Sequence, residues 1–317
     1  MQQKTGYSGW ISLKKQSEEK ALMIKDNGEI FRSVDKRLWS AETRLKIMKD
    51  TDVTMQVLST VPIMFNYWAK GEDSAFLCRY LNNHISSVVD HSPKNFIGLG
   101  AVPLQSVDLA IEELKRCKND LKLSGVMIGT CVNDYNLDSK HFDPFYKTAQ
   151  ELDCPIFVHP VATLEQTGRM AKFMLPYLVG MPTDTTIAIC SMIFGGVFEK
   201  FPNLKVCFAH GGGMFPYTIG RIDRGFHTYP TNFERNISPT KYVRKIYVDT
   251  LVHSIDSLLL ASKVFGEDRL LLGSDYPFLL GEDKPGHLIE CSTFLTKEQR
   301  ERFLFRNATN FFNLKLD

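Results

Sequence analysis

The sequence predicts an α/β fold: a (β/α)8 TIM-type barrel, of which seven strands are found. Three observations carry this. Seven short, near-continuously apolar segments recur along the chain. Helical patterns separate them, which implies parallel strands buried on both faces of a sheet. Three of the segments end on a His or an Asp, and a barrel gathers such strand-end residues at one face. A closed barrel needs eight strands. An open doubly wound sheet does not, and it is the alternative. The phosphate loop of such sheets is not found, because Gly98-Leu99-Gly100 lacks a third glycine, and no P-loop occurs.

Residues 10–35 read as a small β-hairpin insertion, because Asp26-Asn27-Gly28 lies between two alternating runs. Trp39 then leads into a helix at 41–50. Strands are expected at 53–60, 95–103, 124–130, 154–160, 204–211, 245–252 and 269–277. Helices are expected near 73–92 and at 107–120, 141–152, 183–200, 214–226, 254–266 and 296–307. Ser106 and Ser254 stand where N-caps belong. No repeat or long linker divides the chain, so residues 1–317 read as one domain carrying the insertion.

The composition is that of a globular protein, with 44% hydrophobic and 23% charged residues. The net charge of +2 gives no electrostatic case for nucleic acid or a membrane. Lys14-Lys15 and Lys36-Arg37 read as solvated surface. No uninterrupted apolar stretch approaches 18 residues, so no spanning helix is expected, and the N-terminus has no signal-peptide core. Seven scattered cysteines without a CxxC pair fit reduced thiols in the cytosol.

PIFVHP ends on His159, VCFAHGGG on His210 and LLLGSDYP on Asp275. Imidazole and carboxylate are ordinary Zn²⁺ ligands, and a catalytic zinc keeps one position for water. A further histidine beside it moves protons at neutral pH. The glycines after His210 would let a substrate approach the ring. His84, His91, His141 and His287 fit surface positions, His253 reads as a loop residue near the pocket, and His227 is undecided.

Four stretches carry a family resemblance: LSTVPIMFNYWAK (58–70), GRMAKFMLPYLVGMP (168–182), TTIAICSMIFGGVFEKFPNLKVCFAHGGGMFPYTIGRI (185–222) and LLGSDYPF (271–278). On them the chain resembles, over essentially its whole length, the 2-amino-3-carboxymuconate-6-semialdehyde decarboxylase family of the amidohydrolase superfamily. Resorcylate-type decarboxylases and oxalomesaconate-type hydratases are more distant likenesses. The resemblance implies one Zn²⁺ held by His159 and Asp275, with His210 as acid/base. It implies that Arg32 binds a substrate carboxylate, with Tyr177 and Phe278 at the substrate. Tyr177 stands where the family has Trp. Tyr229 stands where the family takes an arginine from the partner subunit, a role Arg221 or Arg224 would have to fill.

The implied reaction is non-oxidative decarboxylation of 2-amino-3-carboxymuconate 6-semialdehyde to 2-aminomuconate 6-semialdehyde and CO2. It belongs to tryptophan/kynurenine catabolism and limits quinolinate and NAD synthesis. The implied protein is a cytosolic homodimer acting on a small molecule. A hydratase or hydrolase of another unsaturated dicarboxylate is one alternative. An inactive shortened isoform that binds full-length subunits is another. The family's first strand carries His-x-His, two further ligands, and this sequence contains no such strand. The expectation is therefore a seven-stranded barrel with weakened metal binding, low activity and poor solubility.

Overall fold

The computed structural model describes residues 1–161, 168–233 and 238–315. Strands β1 (Ser12–Lys15), β2 (Lys20–Ile24) and β3 (Ile30–Asp35) form an antiparallel three-stranded sheet within the expected insertion. It has one strand more than a hairpin, because β1 pairs with β2 from Ser12↔Ile24 to Lys15↔Ala21. Ala21, Met23 and Val34 form its buried face, while β1 is fully exposed.

The main sheet is built from β4 (Gln56–Leu58), β5 (Phe96–Ala101) and β6 (Gly125–Gly129) in its first part. A two-residue pair, β7 (Cys131–Val132) with β8 (Tyr135–Asn136), interrupts the series. The sheet resumes with β9 (Ile156–His159), β10 (Val206–Phe208), β11 (Ile246–Asp249) and β12 (Leu270–Leu271). All seven expected strands form, and they pair in parallel in chain order, β4-β5-β6-β9-β10-β11-β12. This is the curled wall of a TIM-type fold, and β4 and β12 are its edges among the described residues. β5, β6 and β10 are buried at every position, as continuously apolar parallel strands require.

The last two strands are shorter than the apolar runs suggest. Asp249 closes β11, because its carboxylate accepts from the Leu251 N–H at 3.1 Å instead of leaving that group to the ladder. β12 ends at Leu271, and the Gly273 N–H donates to Thr250 Oγ1 at 3.2 Å. Side chains thus replace strand hydrogen bonds where the chain must turn into the site.

Helices Gly71–His91, Val107–Asn119, Asp143–Glu151, Met181–Phe194, Phe215–Thr228 and Ile255–Phe265 alternate with the strands. Ser106 and Ser254 occupy N-cap positions, but neither side chain makes a cap hydrogen bond. Ser40 and Thr296 cap their helices through the hydroxyl, and Thr296 completes a capping box with Gln299. Pro176–Phe194 is long and apolar enough to cross a membrane by length and composition alone, although it is not the uninterrupted apolar stretch by which a span reads in a sequence. Asp184 and three threonines break its apolar run in the sequence. In the fold, Thr185, Ala188, Ile189, Met192 and Ile193 bury one side of it in protein. The cysteines form no disulfide, and only Cys291 is exposed.

Candidate active site

His159 is the last residue of β9 and stands opposite Gly129 of β6. Its Nδ1 lies 2.9 Å from the Pro160 carbonyl oxygen. A carbonyl only accepts, so Nδ1 carries the proton and Nε2 presents a lone pair. That Nε2 lies 3.8 Å from Asp275 Oδ1. His210 Nε2 lies 4.0 Å from Asp275 Oδ2, and the two imidazole rings meet edge to face at 5.0 Å. One nitrogen or oxygen donor from each of the three residues lies within 4.8 Å of the others. The structure therefore brings together the last residue of β9 and two residues from the segments that follow β10 and β12, which span more than a hundred positions of sequence. They sit at the C-terminal ends of the strands, where this fold places its chemistry.

These separations are too long for hydrogen bonds and suit acceptors facing a shared cation. Donors about 2.1 Å from one ion stand no more than about 4.2 Å apart. Two imidazoles and a carboxylate are also a donor set that zinc, iron and manganese accept. The residues fit a divalent metal.

The electrostatics agree with a neutral ring beside an ionised carboxylate. Burial, followed by the neighbouring His159, lowers His210 to about 4. Burial raises Asp275, but the His159 ring, His210 and Arg32 outweigh it and hold the carboxyl below its ordinary value. His210 and Asp275 both adopt positive φ, 57° and 52°, as does nearby His253 at 54°. Left-handed backbone at non-glycine residues is costly and clusters at functional sites.

The three glycines after His210 have a steric cause. Gly211, Gly212 and Gly213 have φ of 61°, 78° and 63°. A Cβ on Gly211 would meet Val252 at 2.3 Å, and one on Gly213 would meet the Pro182 carbonyl oxygen at 2.1 Å. The turn thus needs glycine for conformation and for space.

Asp249 is the site residue that sequence reasoning missed. It is buried at 6% exposure, and Oδ1 accepts from the Gly211 N–H at 2.9 Å as well as from Leu251. It ties the end of β11 to the turn that aims His210. Burial raises its carboxyl to about 6, against the pull of these backbone donors. The signal was present as one acid inside the apolar run IYVDTLV, where an unpartnered carboxylate would be costly.

Arg32 of β3 reaches the site from the insertion. Its guanidinium carbon is 4.9 Å from the Phe278 ring centroid and 5.8 Å from that of Tyr177. The three residues expected at the substrate thus lie around one guanidinium, which also acts on Asp275. Of the other histidines, His84, His91, His141, His227, His253 and His287 are exposed. His253 still lowers His210 electrostatically. Tyr229 is 62% exposed, and Arg221 and Arg224 are exposed on the same helix end.

The chain matches the amidohydrolase family model over residues 26–314. It is 46% identical over 318 residues to 2-amino-3-carboxymuconate-6-semialdehyde decarboxylase of Dictyostelium discoideum, covering 99% of this chain and 88% of that protein. It is 32% identical over 364 residues to the Caenorhabditis elegans protein of the same name, covering 99% and 90%. Among solved structures, 5-carboxyvanillate decarboxylase of Novosphingobium aromaticivorans, complexed with manganese and 4-hydroxy-3-methoxy-5-nitrobenzoic acid, superposes with a TM-score of 0.81. That match is 22% identical and covers 88% of this chain and 83% of the other.

Proposed function

This chain belongs to the amidohydrolase family, and on that premise we propose that it is a metal-dependent carboxy-lyase. The reaction is loss of CO2 from 2-amino-3-carboxymuconate 6-semialdehyde to give 2-aminomuconate 6-semialdehyde, within tryptophan catabolism. The observation that carries this reading is the convergence of His159, His210 and Asp275 under the guanidinium of Arg32. The two same-named relatives supply the substrate. Zinc is the proposed metal, and a cytosolic homodimer is the proposed form.

In this reading His159 Nε2 and the Asp275 carboxylate hold the metal. When bound, it acts as a Lewis acid and lowers the pKa of a water to about 7. Arg32 pairs with a substrate carboxylate, and the rings of Tyr177 and Phe278 fix its guanidinium plane. Decarboxylation breaks the C–CO2 bond and leaves the electron pair on carbon, so a proton must arrive there. His210, neutral at pH 7, takes up a proton and returns it to that carbon. Its desolvated setting strengthens each of these interactions.

A second reading makes His210 a third metal donor, favoured by its Nε2 lying 4.0 Å from Asp275 Oδ2, within the about 4.2 Å that two donors to one ion span. Three protein donors with an open position are the usual catalytic zinc arrangement. The function is tested by supplying the semialdehyde to metal-loaded protein and following CO2 and product mass together. Equimolar CO2 and a product lighter by that amount are expected. A product heavier by one water, without CO2, would instead make the chain a hydratase.

A further inference from the structure

The open side of the barrel wall lies between β4 and β12, and among the described residues no strand pairing crosses it. β12 is two residues long and has no partner on that side, so its ladder does little to fix the segment that carries Asp275. His159 and His210 face the Asp275 carboxylate. Asp275 itself holds φ of 52°, a left-handed conformation that persists only where its surroundings enforce it. Within the segment, the Phe278 N–H donates to the Asp275 carbonyl oxygen and the Glu282 N–H to that of Ser274, each at 2.9 Å. Outside it, the contacts are made by the next side chain, Tyr276.

Two guanidiniums flank the Tyr276 ring. Arg44 Cζ is 5.1 Å from the ring centroid and Arg37 Cζ is 6.0 Å from it. Arg37 is committed to Asp35 through bonds of 2.8 and 2.7 Å, and it lies at the outer limit of a cation–π contact. Arg44 is closer, and among the described residues no carboxylate pairs with it. Burial depresses the pKa of its guanidinium, and a desolvated cation holds a ring more strongly than an exposed one.

Arg44 belongs to the helix Ala41–Asp50, and its Nη1 donates to Gln56 Oε1 at 3.2 Å, at the start of β4. It thus reaches from one edge strand to the segment that follows the other. A second contact across this side, Lys284 with Asp52 at 3.9 Å, joins two exposed side chains, and such pairs hold little. The Tyr276 hydroxyl is buried and makes no hydrogen bond among the described residues. The anchor therefore runs through the face of the ring.

We propose that Arg44 is a positioning residue: its guanidinium, tied to Gln56 and laid over the Tyr276 ring, holds the Asp275 carboxylate where it can share a metal with His159. This rests on the reading of Asp275 as a metal donor. Losing the cation or the ring frees the segment after β12, and donors no longer held in place bind metal less tightly. The ordinary alternative is a purely structural role, in which Arg44 closes the open side and its loss lowers only the melting temperature.

The test is the Zn²⁺ affinity of the full chain, read by competition with a chelating dye, with a melt of the metal-free protein alongside. Arg44→Met keeps much of the side chain's bulk and loses its charge, and it should weaken Zn²⁺ binding about tenfold or more. Arg44→Lys keeps a cation and should recover most of that loss. Tyr276→Leu should weaken binding as Arg44→Met does, and Tyr276→Phe, which keeps the ring, should lose far less. Tyr276→Leu reads the contact from the ring side, so the proposal stands or falls even where Arg44→Met does not fold. Unchanged Zn²⁺ affinity in Arg44→Met or Tyr276→Leu, whatever the melt, overturns the proposal. So does equal loss in Tyr276→Phe and Tyr276→Leu, which would move the anchor to the hydroxyl. Asp275→Ala binding Zn²⁺ as tightly as the unaltered chain would instead sink the metal reading itself, and this proposal with it.

Discussion

Asp249 shows how much one buried carboxylate can organise. Asp249→Ala would strand the Gly211 and Leu251 N–H groups, at about 1–3 kcal/mol for each unsatisfied buried donor. Asp249→Asn keeps an oxygen acceptor at the same reach. Thermal melts should therefore show a large loss for the alanine variant and a small one for the asparagine variant, and turnover should follow the same order. Equal losses in both would show that charge, not the acceptor, is what the turn needs. The roles of the three central residues separate by metal analysis. His159→Ala and Asp275→Ala should lose bound metal. His210→Ala should keep most of it while turnover falls by about 10²–10⁴, the usual worth of positioned proton transfer. Equal metal loss in all three would make His210 a ligand.

Two elements aim the site, the glycine turn after β10 and the insertion sheet that carries Arg32. Gly213→Ala adds a Cβ 2.1 Å from the Pro182 carbonyl and forces a side chain into φ of 63°. Left-handed backbone alone costs about 1–3 kcal/mol, so the melting temperature should drop by several degrees; an unchanged melt would mean the turn relaxes freely. Arg32 sits on a sheet that is not part of the barrel wall. Arg32→Ala should raise KM with metal content unchanged, whereas a fall in metal content would tie Arg32 to Asp275 instead of the substrate. The strands were legible because parallel strands buried on both faces read as apolar runs, as FIGLGA and GVMIG do. Their ends at Asp249 and Leu271 were not, because hydrogen bonds from the Asp249 and Thr250 side chains stop the ladder before the apolar run ends. Ser106 and Ser254 were legible as cap positions but not as cap bonds, which depend on rotamers that no sequence pattern specifies.

At the scale of the whole molecule, seven parallel strands in chain order turn positions 159, 210 and 275 into neighbours. Ligand-type residues at strand ends were visible in the sequence, and the parallel topology implied their convergence. The tie from Asp249 to His210 was not visible, because it runs through backbone N–H groups that every residue possesses. β4 and β12 are unpaired on their outer sides among the described residues, so the curl depends on helices and loops packed across it. Parallel edges of this kind favour association, so the apparent molar mass of the purified chain from light scattering should rise with concentration, and a constant mass would show the edges to be covered. The central claim is that one divalent metal, held by His159 and Asp275, drives decarboxylation. Its most direct test is metal stoichiometry measured alongside CO2 release, on chelator-treated protein titrated with Zn²⁺ and, separately, Mn²⁺. The account predicts that CO2 release rises in proportion to bound metal, reaches its plateau at about one ion per chain, and vanishes in Asp275→Ala at the same total metal. Release of CO2 by metal-free protein, or full occupancy at His159 and Asp275 without any CO2, would contradict it.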